Sequence, residues 1–261
     1  MNLGYKDKVV GVTGAASLKG IGFAIARALQ EEGAKVFLCD LNADALAQAS
    51  AALGGVETYA VDVSNEDEVK NMFHAAMQHF GRLDVFVNNA GIYPQGPLCE
   101  MSAAQWDKVM NVNLRSVFLC GCEAFRRMKE RGGVIINAAS YAAVLASAGS
   151  GAYAASKAAV YSLTKTMAAE MAPFKVRVNG FIPGVIETGM TQAVVAERHD
   201  QLVGQIALAR LGQPEDVGNA LAFLASDAAS YLTGTFIEVS GGKLCVQNPD
   251  YGYKRWAQEL Q

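Results

Sequence analysis

Short apolar runs alternate with longer stretches of helical periodicity along most of the chain. KVVGVTG (8–14), KVFLCD (35–40), VETYAVD (56–62), LDVFVNN (83–89), GVIINAAS (133–140), VRVNGFIP (176–183) and TFIEVSGG (235–242) predict strands. Between them, stretches such as IGFAIARALQEEG, NEDEVKNMFHAAMQHFG and GNALAFLASD predict amphipathic helices. Strands that are apolar on both faces and separated by helices imply a parallel sheet covered on each side.

Crossovers between parallel strands are right-handed, so the pattern predicts α/β architecture: a doubly wound, Rossmann-like sheet of about seven strands with helices on both faces. No linker, repeat or low-complexity tract divides the chain, and residues 1–261 read as a single domain. Residues 188–212, TGMTQAVVAERHDQLVGQIALARLG, lack a clear place in the alternation and read as a substrate loop or lid. The tail 248–261, NPDYGYKRWAQELQ, lies beyond the last strand and is expected to pack on the body or on a neighbouring subunit.

A formal net charge of −3 without a basic stripe argues against nucleic acid as a partner. No run of about 18 apolar residues predicts a membrane span, and the N-terminus lacks a secretory apolar stretch. Cys39, Cys99, Cys120, Cys122 and Cys245 are scattered, and the histidines show no metal-ligand spacing, so neither a disulfide framework nor a metal site is expected. A reducing cytoplasm suits this composition.

The first strand runs into TGAASLKGIGFAIA, where Gly14, Gly20 and Gly22 bracket a turn that opens a helix. Glycines let backbone approach a pyrophosphate, and free helix N-terminal N–H groups bind its charge. Asp40, ending the second strand twenty positions past Gly20, stands where a carboxylate would accept from adenosine ribose hydroxyls. It would repel a 2′-phosphate, which favours NAD over NADP; Lys19 in the turn argues the other way and keeps NADP open. Asp62 ends the third strand and suits either the adenine amino group or a cap for the helix near Asn65. In NNAG, Asn88 and Asn89 are expected to fix loop backbone, while Gly91 leaves room for a cofactor.

YAASK puts Tyr153 and Lys157 on one side of a helix. A nearby ammonium favours the phenolate, which brings a poor base toward working pH. Ser140, at the end of the fifth strand, reaches the same sheet edge, and Asn113 in MNVNLRSVF lies on the helix pattern before that strand.

Together, the glycine turn, NNAG, Ser140 thirteen residues before Tyr153, and Tyr153-x-x-x-Lys157 resemble the short-chain dehydrogenase/reductase family over about residues 5–245. The resemblance implies a catalytic tetrad of Asn113, Ser140, Tyr153 and Lys157; Asn111 is a neighbouring candidate that the VNL context disfavours. It extends the cofactor-binding set to Ser17 and Ile21 in the turn and Val63 beside Asp62. PGVIETGM matches the family pattern PGxxxT, with Pro183 and Gly184 shaping a turn, and Ile186 and Thr188 holding the nicotinamide carboxamide. A homotetramer is implied by the last helix and strand. One departure is the turn itself, in which five residues, Ala15 to Lys19, separate Gly14 from Gly20. That length resembles the enoyl-thioester reductases of the superfamily, but their Tyr-x6-Lys spacing would need a lysine where Val160 stands.

The expected activity is reversible oxidation of a secondary alcohol, a small polyol, sugar alcohol or cyclic alcohol, by NAD. Tyr93, Pro94, Gln95, Tyr141, Val144 and Met190 are expected to line the substrate pocket. The alternative is 3-oxoacyl-thioester reduction on an acyl carrier protein, for which Arg126, Arg127, Lys129 and Arg131 could form a docking patch. A non-catalytic nucleotide sensor is the reading from another class, disfavoured by the presence of both Tyr153 and Lys157.

Overall fold

The structure, a computed structural model, describes residues 3–146 and 148–257; the remaining positions, among them 258–261 of the tail, lie outside the described residues. Its strands are β1 (Val9–Thr13), β2 (Lys35–Asp40), β3 (Glu57–Ala60), β4 (Val85–Asn88), β5 (Gly133–Ala138), β6 (Val176–Pro183) and β7 (Phe236–Val239). They form one seven-stranded parallel sheet in the order β3-β2-β1-β4-β5-β6-β7. The edge strands β3 and β7 are shorter than their apolar runs. Each has a partner on one side only, and its pairing stops where that partner stops: Ala60 opposite Asp40, and Val239 opposite Pro183.

The helices are α1 (Ile21–Glu31), α2 (Ala43–Ala52), α3 (Glu66–Phe80), α4 (Ala103–Met110), α5 (Ser116–Met128), α6 (Gly151–Met171), α7 (Gln192–Val203), α8 (Pro214–Leu224) and α9 (Tyr251–Arg255). Side chains alternate across the sheet, and each face buries its own core. Val10, Val12, Leu38 and Ile136 pack with Phe23 and Leu29 of α1, Leu46 of α2 and Leu221 of α8. Val9, Phe37, Phe86 and Ile135 face the other way, against Phe73 of α3, Cys120 of α5 and Met167 of α6.

Side-chain caps are unequally distributed among the helices. Asn42 caps α2, Asn65 caps α3, and Ser102 with Gln105 forms a capping box on α4. Helix α1 begins at Gly20 with no side-chain cap and no acidic residue in its first turn. Its N–H groups and the positive end of its dipole are therefore left for an external anion.

The segment 188–212 is not a plain loop. It contains α7, which is kinked at Arg198 (φ −134°, ψ 25°) and buries none of its residues fully. Ile206 and Leu211 just beyond it pack with Val185 and, less buried, Tyr141 and Leu202, forming a small separate core. The tail docks on this segment: Tyr253 Oη donates to the Ala207 carbonyl at 3.0 Å. Among the described residues no helix is long and apolar enough to cross a membrane.

Candidate active site

Strand order reverses at β1, whose neighbours β2 and β4 lead to opposite halves of the sheet. The crevice beyond such a switch point is where open α/β sheets bind ligands. Three of the sequence motifs meet here. Thr13 Oγ1 accepts from the backbone N–H groups of Asn89 and Ala90 at 3.0 and 3.1 Å, and Asn89 Nδ2 donates to the carbonyls of Thr13 and Gly14 at 3.0 and 3.1 Å. The glycine turn is thereby sewn to NNAG. Gly14 has φ +65°, and a Cβ there would stand 2.8 Å from Ala90 Cα; one on Gly22 would stand 2.4 Å from the Gly14 carbonyl oxygen. Both positions require glycine for backbone reasons.

Asn88 does not fix the loop as expected. It belongs to β4, is 4% exposed, and donates through Nδ2 to Asn137 Oδ1 at 2.8 Å; Asn137 Nδ2 in turn reaches Thr164 Oγ1 at 3.0 Å. Strand alternation aims it at α6, so it ties β4 to β5 and α6.

Asp40 is held against the turn. Its Oδ2 accepts from Ala16 N at 3.1 Å and its Oδ1 from Asn42 N at 3.3 Å. Lys19 lines a separate cleft with Glu187, Thr188, Gly189 and Thr191. Asp62 is not the helix cap, because Asn65 has that place; Asp62 Oδ1 accepts from the N–H and hydroxyl of Ser64 at 2.9 and 2.7 Å. Val63 is buried beside it. Ser17 closes the turn by accepting from Gly20 N at 2.8 Å, and Ile21 opens α1 at the wall of the adjoining cavity. An uncapped helix N-terminus, backbone-tight glycines and a carboxylate at the end of β2 together fit a dinucleotide.

Ser140, Tyr153 and Lys157 come together across the cavity from this cradle. Ser140 is extended, buried, and accepts from Ala142 N at 3.1 Å, while its side chain hydrogen-bonds the Tyr153 phenol. Lys157 is 3% exposed, donates to the Ala138 carbonyl at 2.8 Å, and holds Nζ 5.8 Å from the Tyr153 ring centroid. The expected lowering of the phenol pKa is not what these residues produce. Burial pushes Tyr153 up from 10.0 to about 12, with the Ser140 hydrogen bond opposing, and burial pushes Lys157 down from 10.5 to about 8. Desolvation acts against both charged forms.

Asn113 lies within a single π-helical turn, Asn111–Arg115, between α4 and α5. Such turns recur at functional sites because they displace one residue from the helical register. Its Oδ1 accepts from Ile92 N at 2.8 Å, and its Nδ2 donates to Ile92 O and Ser156 Oγ at 3.0 and 3.1 Å. Ser156 donates onward to the Tyr153 carbonyl at 2.7 Å. A Cβ on Gly91 would meet Asn113 Oδ1 at 3.3 Å and Lys157 Nζ at 3.6 Å, so both polar groups converge on the space that glycine keeps open.

Pro183 ends β6 and Gly184 follows it at the cavity wall; Ile186 is buried, and its carbonyl accepts from Thr191 Oγ1 at 2.6 Å. That hydroxyl also accepts from Thr188 N at 3.0 Å, so Thr191, absent from the sequence reading, organises the turn. Tyr93, Tyr141 and Met190 do line the cavity, whereas Pro94, Gln95 and Val144 do not, and Val144 lies on a neighbouring groove. Tyr93 packs edge-on against Tyr153, with ring centroids 4.7 Å apart.

A family model described as enoyl-(acyl carrier protein) reductase matches residues 14–243. The 3-oxoacyl-(acyl-carrier-protein) reductase FabG of Thermotoga maritima is 41% identical over 242 residues, covering 91% of this chain and 98% of the relative. The cis-4-hydroxycyclohexanecarboxylate dehydrogenase of Sinomonas cyclohexanicum is 39% identical over 251 residues, covering 94% and 100%. A crystal structure of a short-chain type dehydrogenase/reductase from Mycobacterium marinum superposes with a TM-score of 0.88 at 34% identity, covering 94% of this chain and 98% of that one.

Proposed function

Because the chain belongs to the short-chain dehydrogenase/reductase family and is an oxidoreductase, we propose that it interconverts a small secondary alcohol and its ketone, with NAD as the hydride partner. The observation that carries this reading is that Ser140 and Tyr153, hydrogen-bonded to each other, wall one cavity beside the glycine turn, with the buried Lys157 ammonium 5.8 Å from the Tyr153 ring centroid.

Ser140 donates to the substrate oxygen and holds its carbon toward the crevice. Tyr153 takes the hydroxyl proton during oxidation and returns it during reduction. Lys157, anchored on the Ala138 carbonyl, shares protons with Tyr153 and exchanges them with solvent through water held at Asn113 Oδ1. Ile186 and Thr188 bind the carboxamide, and Pro183 and Gly184 shape their turn. The N-terminus of α1, with Gly14, Ser17, Gly20 and Ile21, would hold the pyrophosphate; Asp62 and Val63 would hold the adenine, and Asn89 and Gly91 would leave room for the nicotinamide ribose. NAD held in this cradle would supply the two-electron acceptor for the alcohol carbon's hydride, and Tyr153 would take the accompanying hydroxyl proton.

Asp40 supports NAD over NADP, since its fixed carboxylate suits a ribose diol and opposes a 2′-phosphate. Lys19 lines a cleft with Glu187, Thr188, Gly189 and Thr191, away from Asp40, where its charge would not offset the repulsion of a 2′-phosphate. Asp40→Ala is expected to lower the ratio of kcat/KM for NAD to that for NADP by about 100-fold, from a lost charge-assisted hydrogen bond and a removed repulsion. An unchanged ratio would assign cofactor choice elsewhere.

A second reading, 3-oxoacyl-thioester reduction, is favoured by the FabG relative. Against it, Arg126 and Arg127 share the single carboxylate of the buried Glu123, which offsets one of the positive charges of the candidate docking patch. Steady-state rates with each nicotinamide cofactor on acetoacetyl thioesters, beside a panel of polyols and cyclic alcohols, separate the two; turnover confined to thioesters with NADPH defeats the first. The proposal includes a cytoplasmic homotetramer of a single domain.

A further inference from the structure

Lys243 follows the last strand in SGGK and lines the groove beside the substrate cavity, with its ammonium over Tyr141, which also walls the cavity. Gly241 and Gly242 both adopt left-handed backbone (φ +63° and +84°), and Lys243 N donates to Ser240 Oγ at 3.1 Å. Leu208 N donates to the Gly241 carbonyl at 3.0 Å, which fixes the turn to the segment above the cavity. The side chain is half-buried, with Nζ 5.2 Å from the ring centroid of Tyr141 and donating to Gln205 Oε1 at 2.7 Å. Tyr141 is a cavity wall, next in sequence to Ser140.

Among the described residues no carboxylate pairs with this ammonium. Asp250, across the same groove, is taken by Lys254. The described walls of the cavity hold no charged side chain; apart from Ser140, Thr188, Thr191 and the tyrosines they are glycine or apolar. A half-buried cation without an anion is costly to keep, and a neutral amide with an aromatic face satisfies it only in part. Burial already holds its pKa below the ordinary lysine range.

We propose that Lys243 binds an anionic group of the substrate, a carboxylate or a phosphate, lying across the Tyr141 ring from the carbon that reacts. The substrate is then a hydroxy or oxo compound bearing a negative charge about a ring's width from its alcohol, not a neutral polyol. This rests on Ser140 and Tyr153 marking the reacting end.

The test compares acids with their neutral methyl esters (4-hydroxycyclohexanecarboxylate and 3-hydroxybutyrate) and acetoacetyl-CoA with acetoacetyl-N-acetylcysteamine, which lacks phosphate. In Lys243→Met, the acid-to-ester ratio of kcat/KM is expected to fall about 10- to 100-fold, chiefly through KM, as loss of a charge-assisted hydrogen bond predicts. Lys243→Arg should recover part of it. A fall confined to the CoA-to-cysteamine ratio assigns the anion to a phosphate. If both ratios keep their wild-type values, Lys243 only locks its turn and the proposal is overturned. A readout independent of turnover is the rise in melting temperature that each acid gives with NADH present. Absence of any charge-dependent rise in the wild-type protein overturns the proposal even where no alcohol is oxidised, whereas a rise without oxidation defeats only the catalytic reading.

Discussion

Tyr153→Phe is expected to bind NADH as tightly as the wild-type protein and to lose roughly two to four decades of turnover in both directions. The substitution removes one hydroxyl and leaves the ring, which keeps its edge contact with Tyr93 at 4.7 Å. Ser140 can still orient the substrate oxygen, but an alkyl hydroxyl is no acceptor for the proton that must leave as the hydride does. Stability supplies a second signature. The folded phenol titrates near 12 against 10.0 when unfolded, so above pH 10 the unfolded chain gives up a proton that the folded one retains. Wild-type stability therefore falls between pH 10 and 12, and the Phe variant is spared this loss. Single-turnover rates with a fluorescence titration of NADH test the kinetic claim, and melting curves from pH 9 upward test the other. A variant turning over at the wild-type rate removes Tyr153 from the chemistry.

What could be read from the chain divides along a physical line. The seven strands were legible because residues such as Val9 and Val10, or Val85 and Phe86, are buried on opposite faces, and a doubly covered sheet leaves an unbroken apolar run. Tyr153, Lys157 and Ser140 were legible because fixed spacing on a helix and at a strand end determines where they point. Helix α7 was not. It buries no residue fully, so the apolar stripe that announces a helix is absent from 192–203. The π-turn around Asn113 is equally silent, since the apolar pattern runs on from α4 to α5 while one turn shifts its hydrogen bonds. Asn88 falls within the predicted strand, but its side chain reads like that of Asn89, and nothing local reveals that it bonds Asn137 on the next strand instead of the loop. Depth of burial was the least accessible quantity. The charge of Lys157 could be read from YAASK, but the enclosure of Lys157 and of the Tyr153 phenol, which lowers one pKa and raises the other, arises from strands and helices far apart in sequence.

That enclosure makes Lys157→Met an informative variant. Its turnover is expected to drop by roughly two to three decades, because Tyr153 loses the group that shares and relays its proton. Its stability should move the opposite way. Lys157 titrates near 8 in the folded chain and near 10.5 when unfolded, so below pH 8 both states carry the charge and the fold bears the cost of burying it. That displacement corresponds to about 3 kcal/mol, of which about 1 is offset by the hydrogen bond to the Ala138 carbonyl, leaving the methionine variant about 2 kcal/mol the more stable near pH 7. Between pH 8 and 10.5 the unfolded wild type binds a proton that the folded form has released, so wild-type stability rises and the advantage shrinks. The same titration governs the reaction. If Tyr153 and Lys157 act as one pair, loss of a single proton near pH 8 creates the form that accepts the alcohol proton. Oxidation by the wild-type enzyme should therefore climb through about pH 8 while ketone reduction declines over the same range. In the methionine variant the residual rate should lose that inflection. An inflection at the same pH without the lysine would transfer the titration to another group and leave Lys157 a structural cation.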